Sequence, residues 1–236
     1  MRACAIAAVV AGVTVLGFAA PALASPTSAP AANGATKKAA CVAAIDVRLV
    51  EITKLQAALS GAKHLADAHA EAEHATLGLA GDGLRDLRVK IGADTDPTVL
   101  KQDCDSIYAG FRIFALRAPQ AQLVIADDTE TFAVERLQGV VPKLSAAIAR
   151  AKAEGDDTTT AAALLIDMQA KLSDAAAQSA GVADAIIGYG PADWNANHSL
   201  LDPGRGKVKA AGADLRTASA DAKGIVASLK DHGAKS

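Results

Sequence analysis

The sequence predicts an all-α protein, an elongated antiparallel bundle of about six helices with coiled-coil-like packing and one disulfide. Three observations predict it. Leu165, Met168, Leu172, Ala175, Ser179, Val182 and Ile186 follow one another at alternating steps of three and four, which keeps one seam of a helix against a partner. The chain is 51% hydrophobic but 3% aromatic, and much of the apolar share is alanine, which favours helix strongly yet buries little area. Asp96-Pro97 and Asp202-Pro203 both pair an N-cap residue with a proline at the first helical position.

Arg2, the apolar run from Ala3 to Ala20 and the small-residue exit Pro21-Ala22-Leu23-Ala24 read as a signal peptide over residues 1–24, cleaved before Ser25. A membrane anchor is the competing reading. The run is short for a span of about 20 residues and lacks a basic stop-transfer flank. The expected location is secreted or extracellular, with cell-wall association as a variant, and no transmembrane segment remains after cleavage. Residues 25–36, rich in Pro, Ala, Ser and Gly, read as a flexible linker. Residues 37–232 are the predicted bundle, packed as one body or as two three-helix halves meeting near 117–120.

The first helix is predicted over 37–62, with Val42, Ile45, Leu49, Ile52 and Leu59 on its seam. Asp67 is read as the N-cap of a second helix reaching Ile91, whose stripe is Leu77, Ala80, Leu84, Leu87 and Ile91. Gly78, Gly81 and Gly83 weaken its middle by up to about 1 kcal/mol each and predict a distortion. The third helix starts after Asp96 and carries Leu100, Cys104, Ile107, Phe111 and Phe114 inward. A fourth segment runs from Pro119 to Glu154 with the stripe Val134, Leu137, Val141, Leu144, Ile148 and Ala151, interrupted at Gly139 and Pro142. The fifth runs from Thr158 to Gly188. Residues 189–203 are predicted irregular, and the last helix carries Val208, Ala211, Leu215, Ala218, Ala222, Ile225 and Leu229.

Cys41 and Cys104 remain after processing, and outside the cell a disulfide between them is the default over two free thiols. The whole-chain net charge of −2, one unit more negative without Arg2, argues against a nucleic-acid partner. His64, His69 and His74 are five apart, turning successive side chains by about 140° around a helix. His69 and Glu73 alone have metal-ligand spacing and give two ligands at most, so histidines on a solvated acidic face are the plainer reading. Asp94, Asp96, Asp103 and Asp105, and further on Asp127, Asp128 and Glu130, match no calcium loop. Carboxylate pairs of the glycosidase kind depend on a separation that sequence does not give, and no sugar cleft is predicted in an Ala-rich bundle. No nucleophile elbow, phosphate loop or dinucleotide fingerprint occurs.

Tyr189, Trp194, Asn195, Asn197 and His198 form the candidate recognition loop, with an end-cap for the bundle as the favoured alternative. Asn197-His198-Ser199 fits the glycosylation pattern. Ile107-Tyr108-Ala109-Gly110-Phe111-Arg112-Ile113-Phe114-Ala115-Leu116 with Pro119, and Gly190-Pro191-Ala192-Asp193-Trp194-Asn195-Ala196-Asn197-His198, resemble segments of uncharacterised exported Ala-rich all-helical proteins of high-GC Gram-positive bacteria. The resemblance spans roughly Lys37 to Lys230. It implies secretion and an all-helical fold, and brings no catalytic residue.

The favoured function is a secreted or cell-envelope, non-enzymatic structural or interaction protein whose partner is a protein or cell-wall component. No cofactor is expected. A carrier holding a small apolar ligand near Tyr108, Phe111 and Phe114 comes second, and an exported hydrolase or metalloprotein third.

Overall fold

The computed structural model describes residues 34–233, so the predicted signal peptide and all but the last three residues of the predicted linker lie outside the described residues. Those three are helical, because the first helix starts at Gly34 rather than Lys37. The described residues form nine α-helices and a π-turn, with no strand among them. In chain order they are α1 (Gly34–Gly61), α2 (Asp67–Ala93), α3 (Pro97–Ala109), the π-turn (Ile113–Arg117), α4 (Ala118–Gln138), α5 (Val141–Ala153), α6 (Thr159–Ser179), α7 (Val182–Ile187), α8 (Pro191–Ala196) and α9 (Asp202–Gly233). With α4 and α5 taken as the segment predicted to break near Pro142, and the short α7 and α8 set aside, six long rods remain. The all-α prediction holds.

Three apolar clusters hold the rods together. Ile45, Ile52 and Leu59 of α1 meet Leu77, Leu84 and Ile91 of α2 and Leu100 and Ile107 of α3. Met168 and Leu172 of α6 pack with Leu215 and Ile225 of α9, and with Val134, Leu144 and Ile148 of α4 and α5. Leu116, Val124, Val182, Ile186 and Leu201 make the third. α4 contributes to all three through Ala121, Val134 and Val124 respectively. Residues 117–120 lie within this packing, with Ala118 and Gln120 buried. Each large aliphatic side chain so removed from water contributes about 1.5–3 kcal/mol before the cost of ordering it.

The α6–α9 pair follows the sequence most closely. Ala175, Ala211 and Ala218 are wholly buried, so the two backbones approach across methyl groups rather than long side chains. Lys171 Nζ of α6 reaches Asp214 of α9 at 3.1 Å. In the first cluster Cys41 of α1 and Cys104 of α3 are disulfide-bonded, with Cα atoms 5.6 Å apart. Lys38 donates to the Gly92 carbonyl at 3.1 Å, fastening the start of α1 to the end of α2.

Several expectations need correction. α2 runs unbroken through its glycines, and Gly83 serves packing, because a Cβ there would stand 2.8 Å from the Phe111 ring. Asp67 is the first helical residue and not the N-cap. Ala66 occupies the cap and its N–H donates to Asp128 of α4 at 2.8 Å, so a distant carboxylate satisfies the helix start. The inward stripe of α3 ends at Ile107, since the chain turns through Arg112 at a left-handed φ of 48°. Ile113 and Leu116 then enter the core, while Phe114 is left half-exposed. Asp96 caps α3 as predicted, accepting from the Thr98 N–H at 2.7 Å.

The predicted fifth helix is interrupted at Ala180-Gly181, where Gly181 has φ +68°, a conformation glycine adopts without the Cβ penalty. The buried stripe nonetheless continues through Val182 and Ile186. The stretch predicted irregular from Tyr189 holds α8, whose start is closed by the Gly190 N–H donating to Asp193 at 2.8 Å.

Candidate functional site

The break between α6 and α7 opens a cleft of about 460 Å³ against α4 and the start of α2. Its walls follow from helix register. Carrying the apolar stripe of α4 backwards from Val134 in steps of three and four lands on Thr131, Asp127, Val124 and Gln120. Val124, Asp127 and Gln120 are buried, and Asp127 faces the cleft. The same step back along α2 from Leu77 lands on Glu73 and then on His69 or Ala70. Polar residues therefore occupy seam positions on both helices.

Asp128 anchors the cleft. It accepts the Ala66 N–H and takes His69 Nδ1 at 2.9 Å, while His69 Nε2 lies 3.2 Å from Asp184 Oδ1 on α7. Burial works against the imidazolium, but hydrogen bonds to Asp128 and Asp184 and their charges prevail, and the His69 pKa is raised. Asp127 is 3% exposed. Its Oδ2 accepts the Ala183 N–H at 3.1 Å, while Oδ1 is sealed from solvent. The buried Ser179 hydroxyl lies beside Asp127 and, as a hydrogen-bond donor, favours its charged form. Burial pushes the Asp127 carboxyl up to about 6, despite the Ala183 N–H.

Further buried and half-buried charged groups are coupled electrostatically to the cleft residues. Glu73 has no exposed surface and neither carboxyl oxygen has a partner. Burial raises it to about 7, against the pull of Arg117 and His69. Glu130 is raised to about 8 by burial and by Asp127, opposed by Arg216. Arg117 donates to Gln120 at 2.8 Å and to the Tyr189 carbonyl at 3.0 Å, and burial lowers its pKa. Gln120 in turn donates to the carbonyls of Ile186 and Ile187. Together they satisfy the end of α7.

The solvated-histidine expectation fails for His69, whereas His64 is exposed and His74 is half-buried at the surface. His64 stacks on Phe132 with ring centroids 3.7 Å apart, His74 meets the Ser60 hydroxyl at 3.3 Å, and His69 is held between two carboxylates. Both nitrogens of His69 are engaged and Glu73 is sealed in the interior, so their ligand spacing does not become a ligand pair. Among the described residues no group of three or more His, Cys, Asp or Glu side chains is placed to hold a metal ion.

The predicted recognition loop lies elsewhere. Tyr189 and Trp194 are half-buried against the third cluster, and the Trp194 ring is tilted over His198 at 5.7 Å. Asn195 accepts from Arg112 at 2.6 Å and donates to the Ala109 carbonyl at 3.0 Å, tying α8 to the end of α3. Asn197 accepts the Ser199 N–H at 3.0 Å. These contacts make the segment a strap over one end of the bundle, with Asn197 and His198 on its exposed side. Tyr108 and Phe114 are about half-exposed, with the Arg48 guanidinium over their rings at 4.3 and 5.5 Å. Phe111 packs over Gly83 at a separate, smaller depression.

No protein-family model, curated protein or solved structure matches this chain. Among the described residues no helix is long and apolar enough to cross a membrane. The class defined so far is an all-α, disulfide-linked bundle with a carboxylate-lined cleft.

Proposed function

We propose that the chain is an exported, non-enzymatic binding protein of the extracellular space or cell envelope, with its ligand seat in the cleft between α2, α4, α6 and α7. One observation carries this reading: the almost wholly buried carboxylate of Asp127 lines the cleft together with Asp128, Glu135 and Asp184, and among the described residues no lysine or arginine lines it with them. Holding a carboxylate in the interior without a cationic partner costs stability, and a ligand seated beside it offsets that cost. The volume falls within the usual range of about 300–1,000 Å³ for small-molecule sites. A role for His69 as a general base is disfavoured, since carboxylates hold both of its nitrogens. The disulfide suits an oxidising compartment.

Native mass spectrometry of the chain recovered from culture medium tests this. The expected result is an N-terminus at Ser25 and a bound small molecule that is absent from Ala180→Trp, a substitution at an exposed cleft-lining position that fills the space. A chain retained in the membrane fraction with residues 1–24 attached contradicts export. Identical bare masses for both proteins contradict the binding role.

A further inference from the structure

We infer that His69 is a proton-operated latch that closes the edge of the cleft between α2 and α7. His69 Nδ1 lies 2.9 Å from Asp128 of α4, and Nε2 lies 3.2 Å from Asp184 Oδ1 of α7. A carboxylate oxygen only accepts, so both bonds exist together only when the ring carries both of its protons. A neutral ring keeps one N–H. The Asp128 bond is the shorter, and the Asp128 side chain is 9% exposed against 80% for Asp184. The remaining proton therefore stays with Asp128. The Nε2 lone pair is left facing a carboxylate that water can take up, and the tie to α7 is lost.

α7 is built to respond. It is six residues long and bounded by Gly181, at φ +68°, and Gly188. His69 and Asp184 both line the cleft, one from α2 and the other from α7. The ties of α7 to α4 do not pass through His69: Asp127 accepts the Ala183 N–H, and Gln120 donates to the Ile186 and Ile187 carbonyls. Release of the latch thus frees α7 from α2 and leaves it seated on α4. The charged groups that act on the ring are Asp127 and Asp128 of α4, Asp184 of α7 and Glu73 of α2 itself. The α6 side of the cleft presents Ala176, Ser179 and Ala180, none of them titratable. Burial opposes the charged ring, but the bonds to Asp128 and Asp184 hold the His69 pKa above the ordinary imidazole value. The latch is shut below that raised value and released as pH climbs through it.

As regulation of a ligand seat the latch rests on the binding role above, yet its test needs no ligand, so each can fail alone. NMR titration of the full chain gives the His69 midpoint, its ring signal assigned by its loss in His69→Gln. Amide exchange, corrected for the intrinsic effect of pH, follows α7 across that midpoint. Exchange of the α7 amides should rise roughly two- to fivefold as His69 loses its proton, the size expected when one partner of an ion pair is solvent-exposed. His69→Gln should exchange at the faster level on both sides of the midpoint. Asp184→Asn, at an exposed position that leaves the fold alone, should abolish the step. Its amide donates to the neutral ring and its carbonyl accepts from the charged one, so the tie survives in both states. Exchange that stays level across the midpoint, a step displaced from it, or a step that persists in Asp184→Asn overturns the inference. The last two would assign the step to Glu73, Asp127 or Glu130.

Discussion

The α6–α9 pair and the neighbourhood of α2, α4 and α7 are built from the same three-four beat and use it in opposite ways. Between α6 and α9 the inward positions hold Met168, Leu172, Ala175, Ala211, Ala218 and Ile225, and the polar pair Lys171–Asp214 stays at the margin. In the second region the equivalent positions hold Glu73, Gln120, Asp127 and Asp128. Burial there lifts carboxyl pKa values and leaves acceptors without donors. The first region earns stability from close packing, and the second gives some of it up to keep charge inside. A seam position sets which way a side chain points, and its chemistry sets whether pointing inward stabilises the fold or makes a site.

The largest expected effect is on the clamp. Reducing Cys41–Cys104, whose partners are 63 residues apart, should lower stability by about 4 kcal/mol in the chain-entropy account. Hydrogen exchange should show α1 and α3 losing protection first and α6 and α9 last. Uniform loss across all helices would erase the distinction between regions. Next, Met168→Ala in the packed pair should cost about 2–5 kcal/mol by chemical denaturation, because a fully buried side chain leaves a cavity. A loss under about 1 kcal/mol would show that α6 and α9 are less tightly packed than described.

Asp128→Asn should cost about 2 kcal/mol, since it weakens the bonds to both the Ala66 N–H and His69. The same variant should let the His69 pKa fall, read by NMR titration; a His69 pKa that stays put would detach it from Asp128. The smallest effect concerns pH. Glu73, Asp127 and Glu130 titrate in the folded chain at about 7, 6 and 8, above their ordinary carboxyl values. The folded state therefore holds protons that the unfolded chain releases. That contribution to stability is present at low pH and declines as pH rises from about 4.5 towards 8. The raised His69 pKa acts in the same direction. Melting temperature should be higher at pH 5 than at pH 8. Glu73→Gln should flatten that decline while changing stability at pH 5 by less than about 1 kcal/mol, because the protonated acid and the amide are near-isosteres. An unchanged pH profile would remove Glu73 from the account.

Much of the fold is legible in the sequence because packing follows periodicity. The stripes of α2, α6 and α9, the Asp96 cap and the interruption between α4 and α5 all follow from spacing and from proline or glycine. The disulfide follows from the two cysteines that remain once residues 1–24 are read as a signal peptide. The cleft is less legible for two reasons. The break at Gly181 hides inside an unbroken stripe, since Val182 and Ile186 keep the beat after the helix has turned. Glu73, Asp127 and Gln120 look like surface residues by type, and only continuing the stripes past Leu77 and Val134 reveals that they face inward. The cap of α2 was out of reach of local signals, as its acceptor is Asp128, some sixty residues away. The polar and aromatic character of Tyr189, Trp194 and Asn195 suits either recognition or the favoured end-cap, and the contacts of Asn195 and Trp194 fasten α8 in the end-cap manner.

Asp127→Asn tests most directly whether the buried charges at the cleft serve binding rather than holding the fold. The asparagine carbonyl can still accept the Ala183 N–H, so the fold keeps its contact while the carboxylate charge disappears. Denaturant unfolding at neutral pH, with native mass spectrometry on the same sample, should show stability equal to or above that of the unaltered chain and loss of the bound small molecule. A loss of about 2 kcal/mol or more with the bound molecule retained would contradict the account and make Asp127 a structural residue.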